Sequence, residues 1–343
     1  MAKAQPRDSA DLTEKALANW RTWLLGLLLA GAVVFAAFHW GDVKQFATLV
    51  ARAKPLWLFA ALAAQLLTYV ALAAEWLVVL RACDCKISLA KLLPLTLTKH
   101  FADQMVPTAG MSGNVVVVDR LRQLGVSRKV AVASVILAII SYYASYAIVA
   151  IGVLFLLWLM SEDSWAMVGL ILVFLVVAGG IPSLALWLQK KGERAIPKWL
   201  RTVGPVRELF DMIGEAPAKL VRSGELITEL SILNGITFAL DGLTMQFCLF
   251  ALGVHVPFAA AFIAFIIASI VVTLGPIPMG LGSFEAVSIG TLRLAGVSFE
   301  AALSATLLFR GFTLWLPLVP GMIAARRDLK HRPKPGSTPN SKR

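Results

Sequence analysis

Gly275-Pro276-Ile277-Pro278-Met279-Gly280-Leu281-Gly282-Ser283 interrupts an apolar stretch and cannot remain helical, because its two prolines remove amide donors and its three glycines favour other backbone conformations. The flanking runs, Val256–Leu274 and Ala301–Ala325, have the length of membrane spans, roughly 20 apolar residues. Irregular backbone at membrane depth survives only where protein buries it or where it lines a cavity, so the break reads as the tip of a re-entrant hairpin. Val106-Pro107-Thr108-Ala109-Gly110-Met111-Ser112-Gly113 is a second break of the same kind. The alternative for both is an ordinary kink in a spanning helix, packed for structural reasons.

The two breaks are related. Shifting the sequence by 171 residues aligns Pro107–Ser127 with Pro278–Ser298, and eight of the 21 positions are identical, ending in a shared Gly-Val-Ser. Around each copy the order is the same: apolar helix, break, short half-helix, Gly-Val-Ser turn, long span. Arg120, Arg122, Arg128 and Lys129 return the first hairpin to the cytoplasm, whereas counting spans forward returns the second to the outside at Gly296. The copies are therefore expected to be inverted, an architecture associated with alternating access around a site at the repeat interface.

Composition agrees with membrane as the solvent. Of 343 residues 58% are hydrophobic and 15% charged, too apolar for a soluble domain of this length to keep covered. Further apolar runs are Trp23–Trp40, Pro55–Leu80, Val130–Met160, Trp165–Leu188 and Leu230–Gly253. None alternates with period two, which argues against a β-barrel, and the run from Trp23 reads as a first span rather than a cleaved signal. The expected fold is an all-α polytopic membrane protein, an inverted-repeat bundle with two re-entrant broken-helix hairpins and both termini inside. The net charge of +12 comes with no aromatic–basic RNA motif, and all but six of the 32 lysines and arginines fall on the inner side, the exceptions being Lys44, Arg52, Lys54, Arg293, Lys99 and Arg310. Nucleic acid is therefore not an expected partner. Cys83, Cys85 and Cys248 are too few and scattered for a disulfide framework or zinc site.

The expected organisation is a cytoplasmic segment 1–22, one transmembrane domain 23–327 and a disordered basic tail 328–343. The repeat halves cover about 55–188 and 229–327, joined by a cytoplasmic connection 189–228. Lys44–Lys54 and Val206–Ile213 each place apolar residues on one helical face and read as surface-lying amphipathic helices. Trp23, Trp40, Trp57, Trp76, Trp158, Trp165 and Trp187 near span ends read as interface anchors.

The candidate substrate-binding residues are those of the breaks: Pro107, Gly110, Ser112, Gly113 and Asn114 in the first, Pro278, Gly280, Gly282, Ser283 and Glu285 in the second, with Arg310. Ser112 and Ser283 precede half-helices, where a hydroxyl can cap free amides and the positive dipole end suits an anion such as a lipid phosphate; capping of their own helices is the bland alternative. Glu285 and Arg310 flank the Gly296 turn at similar distances, so in an antiparallel pair they share a depth of roughly 18 Å from the turn at 1.5 Å per residue. They are expected to pair, either to bind substrate or to lock the hairpin. Asp241, Glu75 and Asp103 are further intramembrane acids, candidates for proton coupling or for complementing Arg310 or Lys99. No Walker motif or His-Glu-x-x-His appears, so neither cofactor nor metal is expected.

Pro276-Ile277-Pro278-Met279-Gly280-Leu281-Gly282-Ser283-Phe284-Glu285-Ala286, followed by Leu307-Leu308-Phe309-Arg310 and Leu316-Pro317-Leu318, resembles the lysylphosphatidylglycerol synthase transmembrane family, or flippase-like domain, over Trp23 to about Arg327. The first break departs from the family form, with valines after Asn114. The resemblance implies a membrane lipid transporter in the bacterial inner membrane. It is similar to the membrane half of the multiple peptide resistance factor, which moves an aminoacylated lipid, and stand-alone members include one associated with hopanoid biosynthesis. Membrane lipids are thus the expected partners, and a phospholipid, aminoacyl-lipid or hopanoid the expected cargo. A structural subunit recruiting lipid-synthesis enzymes through Gln189–Glu229 is an alternative. An intramembrane hydrolase using Ser112 in Gly110-Met111-Ser112-Gly113 is another, though none of His39, His100, His255 and His331 is well placed as its base.

Overall fold

The computed structural model describes residues 53–105, 111–159, 165–191, 217–275, 277–317 and 320–321, all within the compact unit Ala53–Arg343. The run Trp23–Trp40, the amphipathic stretches at 44–52 and 206–213, Pro107, Gly110 and the tail 328–343 lie outside the described residues.

Among the described residues the fold is all-α, without strands. Helix α1 (Pro55–Ala82) starts at a proline, which suits a first turn whose amides have no intrahelical partner. It is followed by α2 (Leu89–Met105), α3 (Met111–Gln123), α4 (Arg128–Leu159) and α5 (Trp165–Lys191). After a single turn at Ala218–Val221 come α6 (Gly224–Ala251), α7 (Phe258–Leu274), α8 (Ser283–Leu294) and α9 (Phe299–Arg310), the last running into a π-helical turn at Gly311–Trp315. Helices α1, α4 and α6 are long and apolar enough to cross a membrane; Trp165–Gly180 and α7 are shorter apolar helices.

The order α1 to α4 recurs as α6 to α9 with matching joints, and the hydrogen bonds explain why the Gly-Val-Ser triplet recurs. Gly125 and Gly296 take left-handed conformations, φ 88° and 82°, which spare a glycine the Cβ clash other residues would meet. Gly125 N donates to Arg122 O and Gly296 N to Arg293 O, both at 3.0 Å; Val126 N donates to Leu121 O at 3.0 Å and Val297 N to Leu292 O at 3.1 Å. Both valines are buried, and Ser127 and Ser298 then accept at 3.4 Å from Val130 N and Ala301 N in the first turn of the next helix. Each triplet is thus a helix stop, an apolar anchor and a helix start.

Helices α1 and α6, in corresponding places, run antiparallel along their whole length. Lys54 N donates to Ala251 O at 2.8 Å, Trp57 packs on Phe247 and Phe250, and Val79 meets Leu226 and Leu230 at the other end. Helix α4 lies parallel to α6, with Ser231 donating to Ser141 O at 3.3 Å and Tyr142 and Tyr146 packed on Phe238. One core joins α4, α5 and α6 to α7, α8 and α9; a second, around Trp76, Leu80, Leu92, Leu95, Val117 and Leu121, joins α1 to α4. Trp76 therefore belongs to the core rather than to an interface, whereas Trp158 and Trp165 are exposed as anchors require. Leu56, Phe59, Ile148, Phe155 and Val176 present apolar side chains outward, a surface that lipid would cover.

Candidate functional site around the two breaks

The second break leaves the helix at Gly275, which is extended, and turns through left-handed conformations at Met279, Gly280 and Gly282. Gly280 is buried so tightly that a Cβ there would overlap the Val272 side chain. Pro278 opens the short 3₁₀ turn Pro278–Gly280, and that turn packs against α2, the helix that leads to the first break.

Arg310 and Glu285 pair, as their distances from the Gly296 turn require. Arg310 Nε donates to Glu285 Oε1 at 2.8 Å and Nη2 donates to the Met279 carbonyl at 2.7 Å. Cζ stands 5.1 Å from the centroid of Phe284, itself stacked on Phe309. The other Glu285 oxygen accepts from Gly282 N at 2.7 Å. The ion pair thus ties the irregular backbone to the two helices that follow it. Arg310 is only 8% exposed, and its Nη1 has no protein partner among the described residues. A guanidinium carries five donors, so this edge retains hydrogen-bonding capacity.

Ser283 does not cap in the expected way. It occupies the first position of α8, and its hydroxyl donates back to Gly280 O at 3.2 Å, while Glu285 reaches the amide of Gly282, the cap residue. A carboxylate provides the negative charge that favours a helix N-terminus, so this amide is already committed and is not open to a phosphate.

The first break holds an analogous chain. Lys99 Nζ donates to Asp103 Oδ2 at 2.8 Å, and Asp103 Oδ1 accepts from Gly113 N at 2.9 Å in the first turn of α3. A Cβ on Gly113 would collide with that carboxylate, which explains the glycine. Asn114 is half-buried one residue later. At both breaks, then, a cation holds a carboxylate that holds a backbone amide. Here too the amide expected for an anion is paired with protein. Asp103 was one of three acids expected to couple a proton or complement Arg310 or Lys99, and it pairs with Lys99, but nothing in the spacing announces the reach to Gly113; Phe284 and the Met279 carbonyl were equally hidden.

Neither of the other two candidate acids forms an ion pair with Arg310, which is held by Glu285. Asp241 on α6 faces Thr68 on α1, Oδ1 to Oγ1 3.4 Å, and Glu75 lies two turns farther along α1, within electrostatic reach of Lys99. Among the described residues no cluster of His, Cys, Asp and Glu could hold a metal ion.

No curated protein matches the chain. The family model for the lysylphosphatidylglycerol synthase TM region matches residues 23–321, which takes in every helix described above and both breaks. With its apolar helices this makes the chain a multi-pass membrane protein, and it belongs to the lysylphosphatidylglycerol synthase TM region family.

Proposed function

We propose that the protein is a lipid transporter of the bacterial inner membrane, moving a polar-headed lipid between leaflets. The two interrupted hairpins enter from opposite faces as inverted repeats, and a headgroup passes between them while the halves rock. Phospholipid, aminoacyl-lipid and hopanoid are the candidate cargoes. The observation that carries the reading is Arg310, a buried guanidinium fixed by Glu285, Met279 and Phe284 whose Nη1 has no partner among the described residues. Ionisable groups at such depth are costly and mark pathways for polar cargo. Membership of a family named for lipid synthesis, and the antiparallel packing of the corresponding helices α1 and α6, support it. The Asp103 carboxylate on Gly113 N disfavours the hydrolase alternative, since an amide beside Ser112 is not free to stabilise an oxyanion.

The test is transbilayer movement in liposomes, using fluorescent phosphatidylglycerol and, in parallel, native lipid extract read by headgroup-specific labelling. Wild-type protein should accelerate the exchange of at least one lipid, and Arg310→Ala should abolish the acceleration. Wild-type protein that moves none of them would count decisively against transport.

A further inference from the structure

A second polar region lies in the middle of the bundle, on α1. Gln65, Thr68, Tyr69 and Glu75 follow one face of α1, and Thr68 is near its midpoint, about 20 Å from either end at 1.5 Å per residue. Gln65, Tyr69 and Glu75 are 3%, 6% and 5% exposed, and Tyr69 and Gln65 lie within reach of each other; among the described residues Glu75 Oε1 has no hydrogen-bond partner, nor has His100 Nε2 across from Tyr69, with ring centroids 6.0 Å apart. Buried polar atoms are nearly always paired, so the open Glu75 and His100 atoms mark a place where something else binds.

The charges narrow what that is. Among the described residues the ion pairs are Lys99–Asp103 and Arg310–Glu285, and both serve the breaks; neither Asp241 nor Glu75 has such a partner. From α1 Thr68 faces Asp241 and Tyr69 lies within electrostatic reach of it; from α4 Tyr142, packed on Phe238, lies within electrostatic reach of Asp241, Glu75 and Asp103; from α2 Lys99 lies within reach of Glu75, and His100 stands across from Tyr69. Thr68 has one hydroxyl hydrogen, and both the Ala64 carbonyl at 3.2 Å and Asp241 Oδ1 at 3.4 Å lie within its reach. It cannot satisfy both. If Asp241 carries a proton, it donates to Thr68, Thr68 donates to Ala64, and the count closes.

We infer that Asp241, facing Thr68 of α1, and Glu75, two turns farther along that same helix, are two proton-binding stations, and that they couple lipid movement to a proton gradient. A proton binds one carboxylate oxygen from one side of the membrane and leaves to water on the other, with no further bond made or broken. The coupling rests on the transport reading; the proton binding does not.

Two measurements on the full chain separate the claims. Infrared difference spectra recorded across a pH step should show the carbonyl stretch of protonated carboxylic acid changing, with part of the change absent in Asp241→Asn and part in Glu75→Gln. In liposomes carrying fluorescent phosphatidylglycerol, an imposed pH gradient should accelerate wild-type exchange. Asp241→Asn should return the rate to its gradient-free value, and Asp241→Glu, which keeps the carboxyl, should regain the response. Spectra identical in wild type and both variants overturn the proton stations. Exchange that ignores the pH gradient, or responds instead to sodium, overturns the coupling and leaves transport standing. No lipid movement alongside titrating carboxyl bands overturns transport and upholds the stations.

Discussion

Arg310 is held from three directions, by a carboxylate, a carbonyl and an aromatic face, and its role depends on that geometry as much as on its charge. Arg310→Lys should therefore fail to restore lipid movement, because a point charge cannot serve Glu285 and Met279 O together as a planar fork does. Removing one member of a buried pair strands the other, so Glu285→Ala should cost about 3–5 kcal/mol of stability. The double variant Glu285→Ala/Arg310→Ala should cost less than the two single changes added together. Denaturant unfolding of the four proteins in micelles measures this; additive losses would show that the pair is not coupled. At the first break, Gly113→Ala should displace Asp103 and lower stability by about 1 kcal/mol, the usual cost of a lost N-terminal cap. The Glu285–Arg310 pair was legible in the sequence because both residues lie at matching distances from one turn. Asp103 on Gly113 was not, since that bond depends on how tightly the hairpin closes, which residue spacing leaves open. The capping expected of Ser283 failed for a related reason: Glu285, three residues past Gly282, takes the capping role, and the hydroxyl is left to bond Gly280 O.

Elements were easier to read than contacts. The apolar runs at Pro55–Leu80, Val130–Met160 and Leu230–Gly253 fall within a few residues of α1, α4 and α6, because span length and hydropathy are summed over many residues. The Gly-Val-Ser turns predict equal behaviour. Gly125→Ala and Gly296→Ala should each cost about 1 kcal/mol for forcing a side chain into a left-handed conformation, and two very different losses would mean the turns are not equivalent. At the second break Gly280→Ala should be worse than either, since its methyl meets Val272 as well, and Val272→Ala should recover part of the loss. A double-mutant cycle in thermal unfolding checks that recovery. Nothing in Gly311-Phe312-Thr313-Leu314-Trp315 announced the π-helical turn after Arg310, because one residue inserted per turn does not disturb an already apolar pattern.

For the whole molecule, the positive-inside distribution and the 171-residue shift together imply hairpins that enter from opposite faces. Antiparallel α1 and α6 are what that relation requires of corresponding helices, and the Pro278–Gly280 turn contacts α2, where the proposed transport would pass a headgroup. Orientation in the bilayer is the most direct check. With Cys83, Cys85 and Cys248 replaced by alanine, single cysteines at Leu124 and Leu294, both exposed beside the two glycine turns, can be labelled in sealed vesicles with a membrane-impermeant maleimide. Leu124→Cys should react only from the cytoplasmic side and Leu294→Cys only from the opposite side; labelling of both from one side would contradict the inverted arrangement and the headgroup path built on it.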